Sequence, residues 1–160
     1  MVESLILSIL IFIGIIGYLA FHVKKKHYTS LFVAFLISLS WVVYYGYNYA
    51  GTNIFVLGKI NIFALLAWTA GLMLLLQVYF WLRKKTKNKW KALGISYLIY
   101  LALIVPIEWF GYNVLKIKLA SSFNGLFNLP LMHGTPILKA YYLTAGGLYL
   151  LILILLGEIK

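Results

Sequence analysis

The stretch LILSILIFIGIIGYLAFHV, residues 5–23, decides the fold class because it contains no Asp, Glu, Lys or Arg and is apolar almost throughout. Its length matches the roughly 20 residues that an α-helix needs to cross the hydrocarbon core of a bilayer. Glu3 precedes it and Lys24, Lys25 and Lys26 follow it, which is the reverse of the charge order in a secretory signal peptide. We therefore predict a retained membrane-spanning helix.

Four further apolar blocks of similar length follow along the chain. The 160 residues are 64% hydrophobic and 11% charged, with a mean hydropathy of +0.96, and a soluble core of this size cannot hide so much apolar surface. The sequence predicts an all-α, polytopic transmembrane helical bundle that forms one domain over residues 1–160. Its five spans are expected at about residues 5–23, 31–50, 60–82, 92–112 and 137–156.

The lysines predict the orientation of the bundle through the positive-inside rule. With the N-terminus outside, the basic clusters at residues 24–26 and 83–91 both lie in short cytoplasmic loops. The opposite orientation would place both clusters outside. We therefore predict a multi-pass protein of the cell membrane with a cytoplasmic C-terminus, whose outer segments carry only Lys59, Lys116, Lys118 and Lys139.

The net charge of +11 does not by itself indicate nucleic-acid binding. Basic loops beside membrane spans are the expected topology signal, and each charge near the surface favours anionic lipid by about 1 kcal/mol. We expect no nucleic-acid partner. The expected partners are the lipid bilayer and either other membrane subunits or further copies of the chain.

Most standard active-site chemistry is absent from the sequence. There is no cysteine, which excludes disulfides and thiolate metal sites, and no aspartate, which excludes an Asp dyad or an Asp-supported serine triad. The three histidines, His22, His27 and His133, show no paired ligand spacing. We predict neither a metal nor a cofactor.

Glu108 is the carboxylate that needs an explanation, because Glu3 and Glu158 lie at the chain ends. It lies in VPIEW, residues 105–109, near the end of the fourth span. An ionised group at that depth costs roughly 2.5 kcal/mol or more unless it is paired or hydrated. Pro106 removes one helical hydrogen bond, so we expect a bend just before Glu108 and a local polar site.

Several polar side chains map to the same outer layer as Glu108. In one interpretation they surround a small cavity facing the outer leaflet, where Glu108 and His133 are the catalytic candidates. In the other, Glu108 pairs with Lys59 or Lys116, and the asparagines bond between helices or to headgroups. The ligand-binding candidates are Asn48, Asn61, Glu108, Asn113 and His133.

The connection between spans 4 and 5 is predicted to be an interfacial segment over the outer end of the bundle. Residues 115–119 (LKIKL) alternate apolar and basic residues, which suits an extended piece at the membrane surface. Pro136 is expected to start the fifth helix at its favoured first position.

Small residues spaced four apart favour close helix packing in lipid, as in the pairs Ala67 with Gly71 and Ala140 with Thr144. The helices that they pack against are expected either within this chain or in another. The numerous tyrosines and phenylalanines are expected at the interfacial belt and in lipid contact.

A membrane acid ahead of a connection with glycine and proline resembles a feature of the small carotenoid cyclase-type proteins. The acidic pair expected in the second half of that motif is replaced here by HGTP, residues 133–136. Because of that departure, we assign no family.

The sequence favours one function and leaves two alternatives open. The first is a non-enzymatic accessory or structural subunit of a larger membrane complex, motivated by the lack of standard chemistry and of extramembrane mass. The second is a membrane-embedded enzyme that acts on an apolar or isoprenoid-like lipid at the outer leaflet through Glu108 and His133. The third is a small oligomeric transporter that uses Glu108.

The predicted topology can be tested by cysteine labelling, because the chain has no cysteine of its own. We expect Thr52→Cys to react with an impermeant thiol reagent from outside, and Thr86→Cys to react only after the membrane is opened. Equal labelling of both positions in intact cells would contradict five alternating spans.

Overall fold

The computed structural model describes residues 2–25, 27–45, 55–58, 60–115, 125 and 133–159, and shows an all-α helical bundle there. The helices α1, α3, α4 and α5 are long and apolar enough to cross a membrane, and the shorter α2 is apolar as well. The predicted all-α transmembrane fold is confirmed. The five helices are α1 Val2–Lys24, α2 Tyr28–Tyr45, α3 Ile62–Thr86, α4 Lys89–Asn113 and α5 Pro136–Leu155.

Two predicted segments are only partly covered. Residues 46–50, the last part of the predicted second span, lie outside the described residues. The same holds for the predicted interfacial segment between spans 4 and 5, of which Gly125 alone is described between residues 115 and 133.

Helix α3 extends beyond the predicted third span at its basic end. It continues through Arg83, Lys84 and Lys85 to Thr86. The predicted span ended where charges would leave the lipid, but the helix itself ends where its backbone hydrogen bonding ends. Lys87 ends it in a left-handed conformation with φ of 55°. Asn88 then starts α4 by accepting the backbone N–H groups of residues 90 and 91 at 2.9 and 3.1 Å.

A short β-hairpin that the sequence did not predict precedes α3. Strand β1, Val56–Leu57, pairs antiparallel with β2, Ile60–Asn61, and Gly58 between them has a φ of 62° that favours glycine. Helix α3 therefore begins at Ile62, close to the start at about residue 60 that was predicted for the third span. Asn61 ends the strand and caps α3, because its side-chain oxygen accepts the N–H of Ala64 at 3.0 Å.

Helix α3 is the centre of the bundle and packs against α1, α2, α4 and α5. Half of its membrane-spanning window is buried inside the protein, compared with 11% for α1. Its buried side chains include Leu72, Met73, Leu76 and Tyr79. The other helices therefore assemble around one hydrophobic helix, with the remainder of their apolar surface turned outward.

Several tyrosines lie between helices instead of in the expected interfacial belt. Tyr100 is buried and donates its hydroxyl to the Tyr142 carbonyl oxygen at 2.6 Å, and Tyr97 donates to the Leu143 carbonyl oxygen at 2.7 Å. Since lipid offers no hydrogen-bond partner, these hydroxyls bond to carbonyl oxygens of a neighbouring helix. The belt prediction is wrong for these rings, which join α4 to α5.

Helices α4 and α5 approach closely at Gly146, whereas Ala140 and Thr144 are both exposed. A Cβ built on Gly146 would lie 2.8 Å from the Tyr100 ring, closer than real contacts allow. Thr144 instead donates its hydroxyl to the Ala140 carbonyl oxygen of its own helix at 2.8 Å. The missing side chain of Gly146 therefore makes room for the ring of Tyr100.

Replacing this glycine should separate the two helices. Alanine favours a helix over glycine by about 1 kcal/mol, but the collision with Tyr100 should cost about 1 to 3 kcal/mol, so we expect Gly146→Ala to lower the thermal stability in detergent. Gly94→Ala in α4 is the matched control, because its new Cβ would meet nothing within 4 Å. That variant should be as stable as the wild type or more stable. If Gly146→Ala and Gly94→Ala unfold at the same temperature, the close packing of α4 and α5 at Gly146 is contradicted.

Candidate functional site

Glu108 and Tyr112 lie one turn apart near the end of α4, so both side chains are on the same face of the helix. Pro106 lies inside α4, and the helix continues on both sides of it. This face is directed at the segment that leads into α5.

His133 is fixed opposite that face by the start of α5. Thr135 caps the helix by accepting the N–H of Leu138 at 3.2 Å, and Pro136 takes the first helical position as the sequence predicted. Gly134 has a φ of 149°, and a Cβ there would collide with the Leu138 side chain. The short HGTP segment therefore holds His133 in a defined position.

Glu108 and His133 form the polar centre of the site. The Glu108 Oε1 atom accepts the backbone N–H of His133 at 3.0 Å and lies 3.0 Å from Nδ1 of its ring. Tyr112 stacks on the imidazole with ring centroids 3.8 Å apart and an interplanar angle of 5°. The side chains of His133 and Glu108 are only 12% and 11% exposed. The imidazole is therefore fixed by the contact of Nδ1 with Glu108 and by stacking on the Tyr112 ring.

The two imidazole nitrogens of His133 have different roles in this arrangement. A carboxylate oxygen that accepts the backbone N–H can accept from Nδ1 as well, and this geometry favours the tautomer with the proton on Nδ1. The Nε2 atom is then the nitrogen that can take up or release a proton. Among the described residues, Glu108 pairs with His133. Lys59 and Lys116, the partners considered from the sequence, lie outside the described residues.

The pair lines a cavity of about 380 Å³ whose walls are otherwise mostly apolar. Along α3 the lining runs from Phe63 to Val78, which corresponds to about 22 Å of helix at 1.5 Å per residue. Facing residues come from α4, two isoleucines from α1 and Tyr142 from α5. The cavity is therefore long and mostly apolar, and Glu108 and His133 lie near the end of α4.

Two glycines on facing helices contribute to the cavity wall. Gly71 of α3 and Gly111 of α4 both line it, and a Cβ built on either would meet nothing within 4 Å. The sequence predicted that Ala67 and Gly71 allow close packing of helices. Within the described part of this chain, both residues instead border open space in the cavity.

The remaining candidate residues take other positions. Asn61 is fully buried as the cap of α3, and Asn113 donates its side-chain amide to the Trp109 carbonyl oxygen of its own helix at 3.0 Å. Neither lines the cavity. Asn48 lies outside the described residues. Of the five predicted ligand-binding residues, the structure therefore brings Glu108 and His133 together.

Sequence reasoning missed three contributors to the site. The spacing of Glu108 and Tyr112 by four residues in one helix is a signal that could have indicated Tyr112. The contributions of Gly71 and Gly111 depend on how α3 and α4 face each other, and nothing in their local sequence specifies that.

A second histidine contact lies at the opposite end of the bundle. His22 and His27 approach across the turn between α1 and α2, with their Nδ1 atoms 3.0 Å apart. Their spacing of five residues matches no helical pair, which explains why the sequence indicated no pairing. Among the residues that the structure describes, no three His, Cys, Asp or Glu side chains converge as metal ligands would.

Comparison of the chain with protein-family models, with curated protein sequences and with solved structures found no match. The chemistry of the cavity and of its Glu108–His133 pair is therefore the basis for a functional proposal.

The contact between Glu108 and His133 should also stabilise the fold. Glu108→Leu leaves the backbone N–H of His133 without its acceptor, so we expect a loss of about 1 to 3 kcal/mol in the free energy of unfolding. Glu108→Gln retains an oxygen acceptor and should lose less. Glu158→Leu, which removes an exposed carboxylate, is the matched control. Unfolding in detergent measures all three, and equal stability of the two leucine variants would contradict a structural contribution of the pair.

Proposed function

We propose that the protein binds an apolar or isoprenoid-like lipid at the outer leaflet of the cell membrane and acts on its polar end through Glu108 and His133. One observation carries the proposal: a hydrogen-bonded carboxylate and imidazole line an otherwise apolar cavity. The bundle supplies a binding site for a hydrocarbon chain, and the pair supplies acid–base chemistry.

The cavity supports the binding part of this proposal. Its volume of about 380 Å³ falls in the range of about 300 to 1,000 Å³ typical of small-molecule sites. Such sites are mostly apolar with a few polar groups that orient the ligand. Here the apolar wall suits a chain, and Glu108 with His133 supplies the orienting groups.

The geometry of the pair supports the chemical part. A carboxylate that accepts from Nδ1 holds the imidazole in one tautomer and stabilises its protonated form. His133 then acts as the general base or acid through Nε2, and Glu108 orients it and balances its charge. Proton transfer by a positioned group of this kind contributes typically about 10²- to 10⁴-fold to a rate.

The proposal is tested by separating binding from turnover. We expect wild-type protein purified in mild detergent to retain a lipid detectable by native mass spectrometry, and to alter one component of a native lipid extract in vesicles. Glu108→Gln and His133→Phe should reduce that conversion at least 100-fold, while Glu108→Gln still folds and retains the lipid. If Glu108→Gln converts lipid at the wild-type rate, the acid–base proposal fails.

The accessory subunit remains a second proposal, supported by the weak packing of α1 within the chain. With 11% of its spanning window buried, α1 leaves most of its apolar surface available to another membrane protein. This function predicts that defined membrane proteins co-purify with the wild type in mild detergent. It also predicts that Glu108→Gln folds and keeps those partners. A protein that purifies alone and converts a lipid would contradict it.

A further inference from the structure

The mouth of the cavity lies at the depth of the hydrocarbon core. Leu74 is the middle residue of the 25-residue helix α3, lines the cavity and is 51% exposed. Leu103 and Ile107 of α4 also line it and are 45% and 60% exposed. Because both helices are long and apolar enough to span the bilayer, these exposed residues face lipid tails.

The helix arrangement explains the opening. Helices α1 and α4 both pack on α3, but in the described part of the chain they make little direct contact with each other. Ile11 and Ile15 of α1 line the side opposite α4. The cavity is therefore a cleft with α3 as its floor and α1 and α4 as its two sides, and we refer to it as the α1–α4 cleft.

We propose that the ligand is a lipid with one hydrocarbon chain and a terminal hydroxyl, and that it enters sideways from the bilayer through the α1–α4 cleft. The chain lies over Gly71 and Gly111, and the hydroxyl reaches Nε2 of His133. This inference rests on the proposed function, because it names the ligand class and the entry route of the same cavity.

The shape and the charge of the site select this class. A volume of about 380 Å³ is near the lower end of the range for ligand sites, which suits one chain better than the two chains of a phospholipid. A fatty acid would bring its carboxylate next to Glu108, and two like charges in a poorly hydrated site repel each other. A hydroxyl carries no charge and donates a hydrogen bond to Nε2.

The two glycines provide the space for the chain. Since a Cβ at either position would meet no atom of the packed neighbours within 4 Å, we expect a larger side chain there to enter the cavity. Gly94 of α4 offers a control of the same kind, because its Cβ would also meet nothing and it does not line the cavity. Leucine at Gly71 or Gly111 should thus block the site, whereas leucine at Gly94 should not.

The first experiment tests occupancy. The probe is a hexadecanol analogue with a photoactivatable diazirine in its chain, added to protein in phosphatidylcholine vesicles. We expect crosslinks to peptides of α3 and α4 in the wild type and in Gly94→Leu, and at least tenfold less crosslinking in Gly71→Leu and Gly111→Leu. The corresponding fatty acid should crosslink less than the alcohol. Helical circular dichroism and melting verify that every variant is folded.

The second experiment tests the route, and the absence of native cysteines makes it possible. Ile15→Cys and Leu103→Cys place one thiol on each side of the α1–α4 cleft, and a bis-maleimide joins them. If the two thiols are joined before the probe is added, crosslinking of the probe should be at least tenfold slower. If they are joined afterwards, release of the bound probe should be slower. Each single-cysteine variant, treated with the same reagent, is the reference for the tethered protein, because Ile15 and Leu103 themselves line the cavity.

The possible outcomes distinguish a failure of this inference from a failure of the proposed function. If leucine at Gly71 and Gly111 blocks the probe but the tether changes nothing, the sideways route is wrong and the proposed function stands. If the wild type retains a native lipid but takes up no alcohol, the hydroxyl class is wrong. If Gly71→Leu and Gly111→Leu bind the alcohol as the wild type does, the placement of the chain is wrong. Absence of both a retained lipid and conversion overturns the proposed function as well.

Discussion

In lipid, a polar group finds no hydrogen-bond partner outside the protein, and this constraint governs most of the described structure. It requires the backbone to be helical where it crosses the membrane. It also explains the bonding of three buried hydroxyls, because Ser38, Thr69 and Ser96 each donate to the carbonyl oxygen four residues earlier in their own helix. Tyr97 and Tyr100 satisfy the same requirement by bonding to the neighbouring helix α5.

The same constraint explains why Glu108 is hydrogen-bonded to His133. A carboxylate near the end of a membrane span needs hydrogen-bond donors, and here one residue provides both a backbone N–H and a ring nitrogen. That contact ties the start of α5 to α4 and orients the imidazole at the same time. A structural contribution and the proposed acid–base function therefore depend on the same contact, which is why stability and turnover must be measured separately on the same variants.

Glycine contributes to this bundle in two opposite ways. At Gly146 the missing side chain allows the Tyr100 ring to approach the backbone of α5, so two helices pack closely. At Gly71 and Gly111 the missing side chains leave an open volume between helices. The residue type alone does not distinguish close packing from a cavity, because the outcome depends on what the neighbouring helix presents at that depth.

The sequence by itself determined the membrane fold and the five helices, and it singled out Glu108 and His133 as candidate site residues, because span length, hydropathy and a carboxylate near the end of a span are local properties of the chain. It also predicted Pro136 at the start of α5. Only the tertiary structure decided which residues meet: His133 with Glu108 and Tyr112, or His22 with His27. These contacts join residues across turns and between helices. Their geometry depends on how the packed helices are rotated relative to one another, and the periodicity of the sequence does not specify that rotation.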